Sequence, residues 1–354
     1  MPILFKDSTA SELHARLAPL GVSLRLARRL QTAVLRRDAF PESLPEVSDK
    51  LLARVRAEAG LPRLVRRAKA VSARDGFAKY LFQGDGPEPF EAVRIPLVHR
   101  AGDEKFIVCV SSQVGCAMGC EFCATGRMGF VRNLAAWEMV DQVIRIAADS
   151  PHPVRGVVFM GMGEPMLNYD AVVRAARILS EPCGMAISAK SISISTAGVA
   201  PGIRRFTADK LPFRLVVSLA SADPTRRRRL MPVERAYPLS ELMEAIREYH
   251  GASRQRVVLA WPMISGYNTR EKDARQLAEL VRGLPIRLDL IDVNDATGRF
   301  QPPSPDELDA FRDALSKHLK MPMARRYSGG QDIQAACGML AGKESTPFQV
   351  FRNR

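Results

Sequence analysis

The sequence predicts an α/β fold, a partial (β/α)6 barrel preceded by a small N-terminal helical domain. Short apolar runs of strand-like length lie at 106–110, 157–160, 192–195, 215–219, 257–260 and 288–291. Between them, apolar residues recur at helical spacing, as in Leu239, Leu242 and Ile246. Regular alternation of this kind is typical of a parallel sheet with helices outside it. Six such units are too few for a closed eight-stranded barrel, and we expect the chemistry at the carboxyl ends of the strands.

The chain divides into three predicted segments. Residues 1–90 form the helical accessory region, because Leu13, Leu17 and Leu20 recur at helical spacing before a stretch rich in arginine. This region is either an RNA-docking module or a packing extension with a solvated arginine face. Residues 91–342 form the barrel with a C-terminal segment, and residues 343–354 form a tail.

Composition and charge restrict the class of protein. The 354 residues include 52 Lys and Arg against 38 Asp and Glu, which gives a formal net charge of +14. Such a surplus favours a polyanionic partner such as RNA, although a GC-rich genome would also enrich arginine. No apolar run approaches the roughly 18 residues of a membrane helix, and the N-terminus lacks a secretory pattern. We therefore expect a cytoplasmic monomer with no membrane association.

Three of the six cysteines form a compact motif directly after the first predicted barrel strand. Cys116, Cys120 and Cys123 have the spacing Cys-x3-Cys-x2-Cys, with no fourth cysteine nearby. Three thiolates hold three irons of a 4Fe–4S cubane, and the fourth iron stays open for an external ligand. S-adenosylmethionine (SAM) binds such an iron through its amino and carboxylate groups, and an electron then breaks the sulfonium bond. The alternative is a structural zinc site completed by His99 or His152, which the spacing disfavours.

Further candidate ligands for SAM lie where later strands end. Gly163 and Glu164 follow the second strand, where a glycine lets the backbone approach a ligand and a carboxylate can accept from an ammonium. Ser195, Ser218 and Asn294 close the third, fourth and sixth strands and could hydrogen-bond ribose or carboxylate. Taken singly, residues of these types are more often turn or cap residues.

With these motifs in place, the sequence resembles the RlmN/Cfr family of radical SAM RNA methyltransferases over roughly residues 90–342. The matching segments are 109–123, 161–165, 194–198, 230–233 with Tyr237 and Pro238, and 332–338. The resemblance implies SAM-dependent methylation of an adenine ring carbon, either C2 or C8, in rRNA or tRNA. It also implies a 4Fe–4S cluster on Cys116, Cys120 and Cys123, and an electron donor such as a flavodoxin.

The resemblance further implies roles for three residues. Cys337 would carry the methyl group as S-methylcysteine, and a SAM-derived radical would activate that group for addition to the ring. Cys109 would release the product by forming a transient disulfide with Cys337. Glu91 matches the position of the proton acceptor. From the residues alone, both cysteines are equally well explained as buried core thiols, and Glu91 as a solvated carboxylate at a strand edge.

The chain departs from the family pattern at the rim of the barrel. Ser218, Leu219 and Ala220 occupy the SAM-binding position at which the family usually shows Ser-Leu-His. Ala220 cannot hydrogen-bond or shuttle protons as an imidazole can. Nearby arginines are predicted to form a phosphate-contacting collar, namely 204, 205, 226–229, 325 and 326.

Two other functions remain open from the sequence. The first is a radical SAM enzyme that acts on a substrate other than RNA. A methyl group carried on Cys337 would favour the RNA methyltransferase over this alternative. The second is a non-catalytic nucleic-acid-binding protein with a structural metal, which iron and sulfide analysis would identify.

Overall fold

The computed structural model describes residues 2–98 and 103–342 and is organised around one mixed sheet of ten strands. The strands are β1 (Ile3–Leu4), β2 (Ala59–Gly60), β3 (Val65–Val71), β4 (Ala78–Gln83), β5 (Phe90–Val98), β6 (Glu104–Cys109), β7 (Gln113–Gly115), β8 (Phe130–Asn133), β9 (Val154–Phe159), β10 (Ile192–Thr196), β11 (Arg214–Ser218), β12 (Val257–Met263), β13 (Ile286–Asp292) and β14 (Met323–Arg326). The helices are α1 (Ala10–Leu17), α2 (Leu24–Arg37), α3 (Asp49–Glu58), α4 (Ala124–Met128), α5 (Ala136–Ala148), α6 (Tyr169–Ser180), α7 (Ala200–Ala208), α8 (Pro224–Leu230), α9 (Leu239–Ser253), α10 (Glu271–Leu280) and α11 (Pro305–His318).

Seven strands of the sheet run parallel and form the predicted partial barrel. Their order is β6, β9, β10, β11, β12, β13 and β14, with a helical crossover after each strand but the last. All six predicted strands are present. The two end strands of the described sheet, β14 and β3, do not pair with each other, so the barrel stays open. Parallel order brings the carboxyl ends of neighbouring strands to one rim.

The prediction of a helical region over residues 1–90 is correct for α1 to α3 and wrong beyond residue 58. Strands β3 and β4 form an antiparallel extension that reaches the barrel through β5. In β3 the inward positions are the small residues Ala68 and Ala70, with Lys69 between them and two arginines before them. The sequence pattern of β3 does not indicate a strand, since alanine and lysine are uncommon in strands.

The N-terminal helices have a core of their own and attach to the barrel through a buried charge. Phe5, Leu13 and Leu30 belong to a separate apolar cluster. Beside it, the fully buried Lys6 places its ammonium 2.5 Å from a carboxylate oxygen of Asp38 and 2.5 Å from one of Asp141 in α5. No helix in the described ranges is long and apolar enough to cross a membrane. The predicted tail at 343–354 and His99 lie outside the described residues.

Candidate active site at the carboxyl ends of the strands

The cysteine motif occupies a loop closed by a short hairpin. Strands β7 and β8 pair antiparallel, and the Cys116 amide donates to the Gly129 carbonyl at 2.8 Å. Gly115 has a φ of +70°, and a Cβ there would meet the Gly129 oxygen at 1.9 Å. The Cys123 amide donates to the Cys120 carbonyl at 3.1 Å, which turns the chain into α4. The hairpin and this turn fix the backbone at both ends of the cysteine motif.

The three thiols of this loop lie within electrostatic reach of one another. Burial raises the pKa of Cys116 to about 12, and the charges of Glu164 and Cys123 add to the increase. Burial also raises the pKa of Cys120, followed by the charges of Cys123, Cys116 and Glu164, while Arg227 opposes them. An electropositive group that binds thiolates would relieve all of these penalties at once.

The chemistry of the three thiols can be compared with that of an iron–sulfur cluster. Across residues 2–98 and 103–342, no three His, Cys, Asp or Glu side chains are placed to hold one metal ion together. In a cubane each thiolate binds a different iron, so the sulfurs surround the group instead of meeting at one point. His152, one alternative zinc ligand, lies against the Phe106 ring with the ring centroids 6.0 Å apart. The donor set of three thiols thus fits an iron–sulfur cluster.

Glu164 lies at the end of β9, beside the cysteine loop. Its two carboxylate oxygens accept from the amides of Met166 at 3.0 Å and Ala197 at 2.7 Å. Burial raises its pKa to about 7, against the opposing effect of these donors. Gly163 has a φ of +101°, and a Cβ there would come within 2.5 Å of the Gln113 side chain. The predicted Gly163–Glu164 pair therefore forms a tight, buried acceptor site on the rim.

The remaining predicted SAM contacts fall into two groups. Ser195 is the next-to-last residue of β10, Ser218 is the last residue of the neighbouring β11, and both are partly accessible. Leu219 and Ala220 are fully buried, so only their backbone can face a ligand. Ala220 has a φ of +58°, and its carbonyl accepts from the Asn268 side chain at 2.8 Å. Histidine is enriched at positive φ relative to most residues, and alanine is not.

Asn294 contacts the C-terminal segment in this structure. Its amide nitrogen donates to the Ser328 hydroxyl at 2.9 Å and lies 3.5 Å from the Cys337 carbonyl. Its amide oxygen accepts from Gln331 at 2.8 Å. The side chain therefore joins the end of β13 to the segment that carries Cys337.

Cys337 lies over the cysteine loop. The Ala124 amide donates to the Gly338 carbonyl at 2.7 Å, and the Thr125 hydroxyl donates to the Leu340 carbonyl at 2.6 Å. The Cys337 side chain opens to solvent, yet the surrounding protein excludes enough water to raise its pKa to about 11, with a smaller contribution from Cys123. The thiol thus lies at an exposed position within electrostatic reach of Cys123.

Cys109 faces the same region from the sheet. Burial raises its pKa to about 12, and the charge of Cys337 adds to the increase, so the two thiols are within electrostatic reach. All six cysteines are nevertheless free, and the predicted Cys109–Cys337 disulfide is absent from this structure. Cys109 is fixed by the pairing of β6 with Val93 of β5, and Cys337 is held on its own segment by the Ser328 hydroxyl. These separate attachments keep the sulfurs apart.

Glu91 is buried in an ion pair that the sequence did not suggest. Its Oε1 lies 2.9 Å from the Lys79 ammonium, and its Oε2 accepts from the amides of Ala341 at 2.7 Å and Gly342 at 3.0 Å. The interpretation of Glu91 as a solvated carboxylate is therefore wrong, because the residue is 1% exposed. A lysine within the apolar run Ala78–Phe82 was the available signal.

The predicted arginine collar is mostly neutralised. Six of its eight members face a carboxylate, in the pairs Arg204–Glu241, Arg205–Asp170, Arg226–Asp273, Arg227–Glu234, Arg325–Asp292 and Arg326–Asp289. Arg227 is fully buried, and it also donates to the Ala197 carbonyl at 2.7 Å, so its place in a collar is wrong. Arg228 and Arg229 are exposed.

Comparison with known proteins gives first the class and then the family. A sequence profile described as "Radical SAM superfamily" matches residues 110–278, from the end of β6 through most of α10. The chain is 53% identical over 343 residues to a "Probable RNA methyltransferase" of Anaeromyxobacter sp. (strain Fw109-5), covering 96% of this chain and 98% of the relative. It is 41% identical over 347 residues to the "Dual-specificity RNA methyltransferase RlmN" of Syntrophobacter fumaroxidans, covering 97% and 99%. A radical SAM methyltransferase from Sphaerobacter thermophilus superposes with a TM-score of 0.86 at 36% identity, covering 97% of this chain and 100% of that one. The chain belongs to the RlmN/Cfr family of radical SAM RNA methyltransferases.

Proposed function

We propose that this protein methylates an adenine ring carbon of RNA, C2 or C8, with Cys337 as the methyl carrier. The observation that carries the proposal is the exposed position of Cys337 within electrostatic reach of Cys123, on a segment hydrogen-bonded to Ala124 and Thr125 directly after the cysteine motif. A methyl-carrying thiol must reach both SAM and the substrate, and an exposed thiol beside the cysteine motif allows this.

The proposed cofactor sites lie at the carboxyl ends of the barrel strands. Cys116, Cys120 and Cys123 would hold the 4Fe–4S cluster. SAM would be held by residues 163, 164, 195, 218–220 and 294, with Asn294 released from the C-terminal segment. When bound, the cluster supplies the electron that cleaves SAM. Glu164 would accept from the SAM amino group as a carboxylate, and its buried position strengthens that contact.

The chain's own residues then act on the methyl group. Cys337 accepts it as a thiolate, so the thiol must first lose its proton. The carried group would lose one hydrogen atom to the SAM-derived radical and join the ring carbon as a methylene bridge, and the remaining unpaired electron can return to the cluster when this is bound. Glu91 accepts the ring proton. Cys109, as a thiolate, then attacks the Cys337 sulfur, the bond from that sulfur to the methylene carbon breaks, and this carbon takes up a proton to become the new methyl group, which leaves a Cys109–Cys337 disulfide. Both later steps require the 337–342 segment to move, since it holds Cys337 away from Cys109 and covers Glu91 Oε2.

The partners follow from charge and chemistry. The net charge of +14 and the exposed Arg228 and Arg229 favour an RNA substrate, either rRNA or tRNA. The chemistry also needs an external one-electron donor, for which a flavodoxin is our candidate, and we expect the protein to act as a monomer.

Mass spectrometry of the peptide that contains Cys337, from protein produced with its cluster intact, tests the proposal. We expect one added methyl group on this peptide, and we expect it to be absent in Cys337→Ala but present in Cys183→Ala. Nuclease digests of RNA treated with the enzyme should contain a C-methylated adenosine. An unmodified Cys337 in protein that still cleaves SAM would favour a radical SAM enzyme with another substrate. If the protein contains no iron or sulfide and does not react with SAM, this result would favour a non-catalytic nucleic-acid-binding protein.

A further inference from the structure

Lys79 is a buried cation in the middle of an apolar strand. It lies on β4, it is 2% exposed, and its neighbours Tyr80, Leu81 and Phe82 are each 1% exposed or less. The Lys79 ammonium meets Glu91 Oε1 at 2.9 Å, and Glu91 is itself buried. Removing two charges from water costs more than most such pairs recover. The pair therefore calls for an explanation other than stability alone.

The second carboxylate oxygen of Glu91 binds the C-terminal segment. Glu91 Oε2 accepts two backbone amides, from Ala341 at 2.7 Å and from Gly342 at 3.0 Å. Gly342 has a φ of +63°, and a Cβ there would lie 2.9 Å from the Pro89 carbonyl, so the segment is seated closely on the start of β5. Hydrogen bonds to a charged acceptor are about twice as strong as neutral ones. The carboxylate thus clamps the chain four and five residues after Cys337.

The strand register places this clamp on the face of the sheet that holds Cys109. Val93 of β5 pairs with Cys109 of β6, and Glu91 lies two residues before Val93. Residues two apart on a strand share a face, so Glu91 and Cys109 are near neighbours across the two strands. Lys79 pairs with Val93 from the other side and lies on the same face.

We infer that Lys79 is a positioning residue, whose ammonium holds Glu91 as the charged acceptor that clamps the Ala341 and Gly342 amides and thereby sets the place of Cys337. While the clamp is closed, Glu91 is occupied and Cys337 stays on its own segment. Opening the clamp frees Glu91 and removes one of the attachments that hold the Cys337 segment, beside those to Ser328, Ala124 and Thr125. The significance of Cys337 rests on the proposed function, but the clamp itself does not.

Hydrogen exchange and thiol labelling of the full-length, cluster-loaded protein test the clamp. Exchange is followed by mass spectrometry in the peptide spanning 335–342. Alkylation of Cys337 is measured against alkylation of Cys183, which lies apart and donates to the Gln31 side chain at 3.2 Å. The variants are Lys79→Met, Lys79→Gln and Lys79→Arg. Lys6→Met is the matched control, because it also removes a fully buried lysine but lies at the N-terminal cluster.

In Lys79→Met we expect the 341 and 342 amides to exchange about tenfold faster or more, because charge-assisted hydrogen bonds are lost. Cys337 should alkylate several-fold faster relative to Cys183. Lys79→Arg should keep most of the protection. Lys6→Met, although it weakens the fold as a whole, should leave both readouts unchanged while the protein stays folded, because the 341 and 342 amides exchange by local opening of the clamp. If Lys79→Met does not fold, Lys79→Gln, which keeps a donor without the charge, must show the same loss of protection.

Equal protection in wild type and in the Lys79 variants would overturn the inference, as would the same increase in exchange in Lys6→Met. The readouts also separate this inference from the proposed function. Fast exchange in Lys79→Met combined with an unmethylated wild-type Cys337 would retain the clamp and reject the methyl carrier. A methylated wild-type Cys337 combined with unchanged exchange in Lys79→Met would retain the methyl carrier and reject the clamp.

Discussion

Glu164 makes a quantitative prediction about the pH dependence of stability. Burial raises its pKa from 4.5 to about 7 in the folded chain. The folded state then binds a proton that the unfolded chain releases, so protonation of Glu164 stabilises the fold. This contribution is fully present below about pH 4.5 and is lost as the pH rises through about 7. The sign is opposite to that of a carboxylate in a salt bridge.

The magnitude follows from the two pKa values. Between about pH 8.5 and about pH 5.5, a shift of this size adds about 2 kcal/mol to the free energy of unfolding. No discount for solvent screening applies, because Glu164 is 2% exposed. In Glu164→Gln nothing titrates at this site. The glutamine side chain has one acceptor oxygen where Glu164 has two, so the backbone amide of either Met166 or Ala197 loses its acceptor. That loss costs about 1–3 kcal/mol at every pH.

Urea denaturation of the cluster-free chain at a series of pH values measures this effect. The free energy of unfolding of wild type minus that of Glu164→Gln removes the contributions of all other groups, as long as they act independently. We expect this difference to favour wild type by about 2 kcal/mol more at about pH 5.5 than at about pH 8.5. A difference that stays constant across this range would refute the argument that burial controls Glu164.

Three further substitutions test other buried features. Lys6→Met leaves the carboxylate of Asp141 buried without its cation and should destabilise the fold by about 3–5 kcal/mol in urea denaturation. Gly163→Ala forces a side chain to a φ of +101° and should cost about 1–3 kcal/mol, with loss of SAM binding in calorimetry. Arg227→Met isolates the buried Glu234 and should cost about 3–5 kcal/mol, most of which Arg227→Met/Glu234→Leu should recover. An equal loss in the single and double variants would contradict the pairing of Arg227 with Glu234.

The fold was predictable wherever local pattern decides structure. Apolar runs and helical spacing identified the six barrel strands and the open architecture, and the cysteine spacing identified the loop after the first strand. Strand β3 was not predicted, because the alanines at its inward positions are only weakly hydrophobic and basic residues lie beside them. Its place at the sheet edge depends on pairing with β4, which no local property of residues 65–71 encodes.

Long-range contacts explain most of what was missed in the site. Glu91 was interpreted as a solvated carboxylate because its partner Lys79 meets it only when β4 and β5 pair, and its other partners, Ala341 and Gly342, are about 250 residues away. Arg227 had a signal that could have been used. Four consecutive helical residues span about 300° around the axis, so one of the four arginines at 226–229 must face inward.

Under the proposed function, the attachments of the C-terminal segment determine the order of events. Consecutive residues from Cys337 to Gly342 bind three different parts of the molecule, namely Ser328, the cysteine loop and Glu91. A segment held along its length gives way as a unit more readily than residue by residue, because each bond limits the freedom of the next. Cys109 lies under this unit and Glu91 is occupied by it. Methyl loading of the solvent-accessible Cys337 therefore requires only that Asn294 leave the segment for SAM, whereas proton acceptance and attack by Cys109 both wait for the release of residues 337–342.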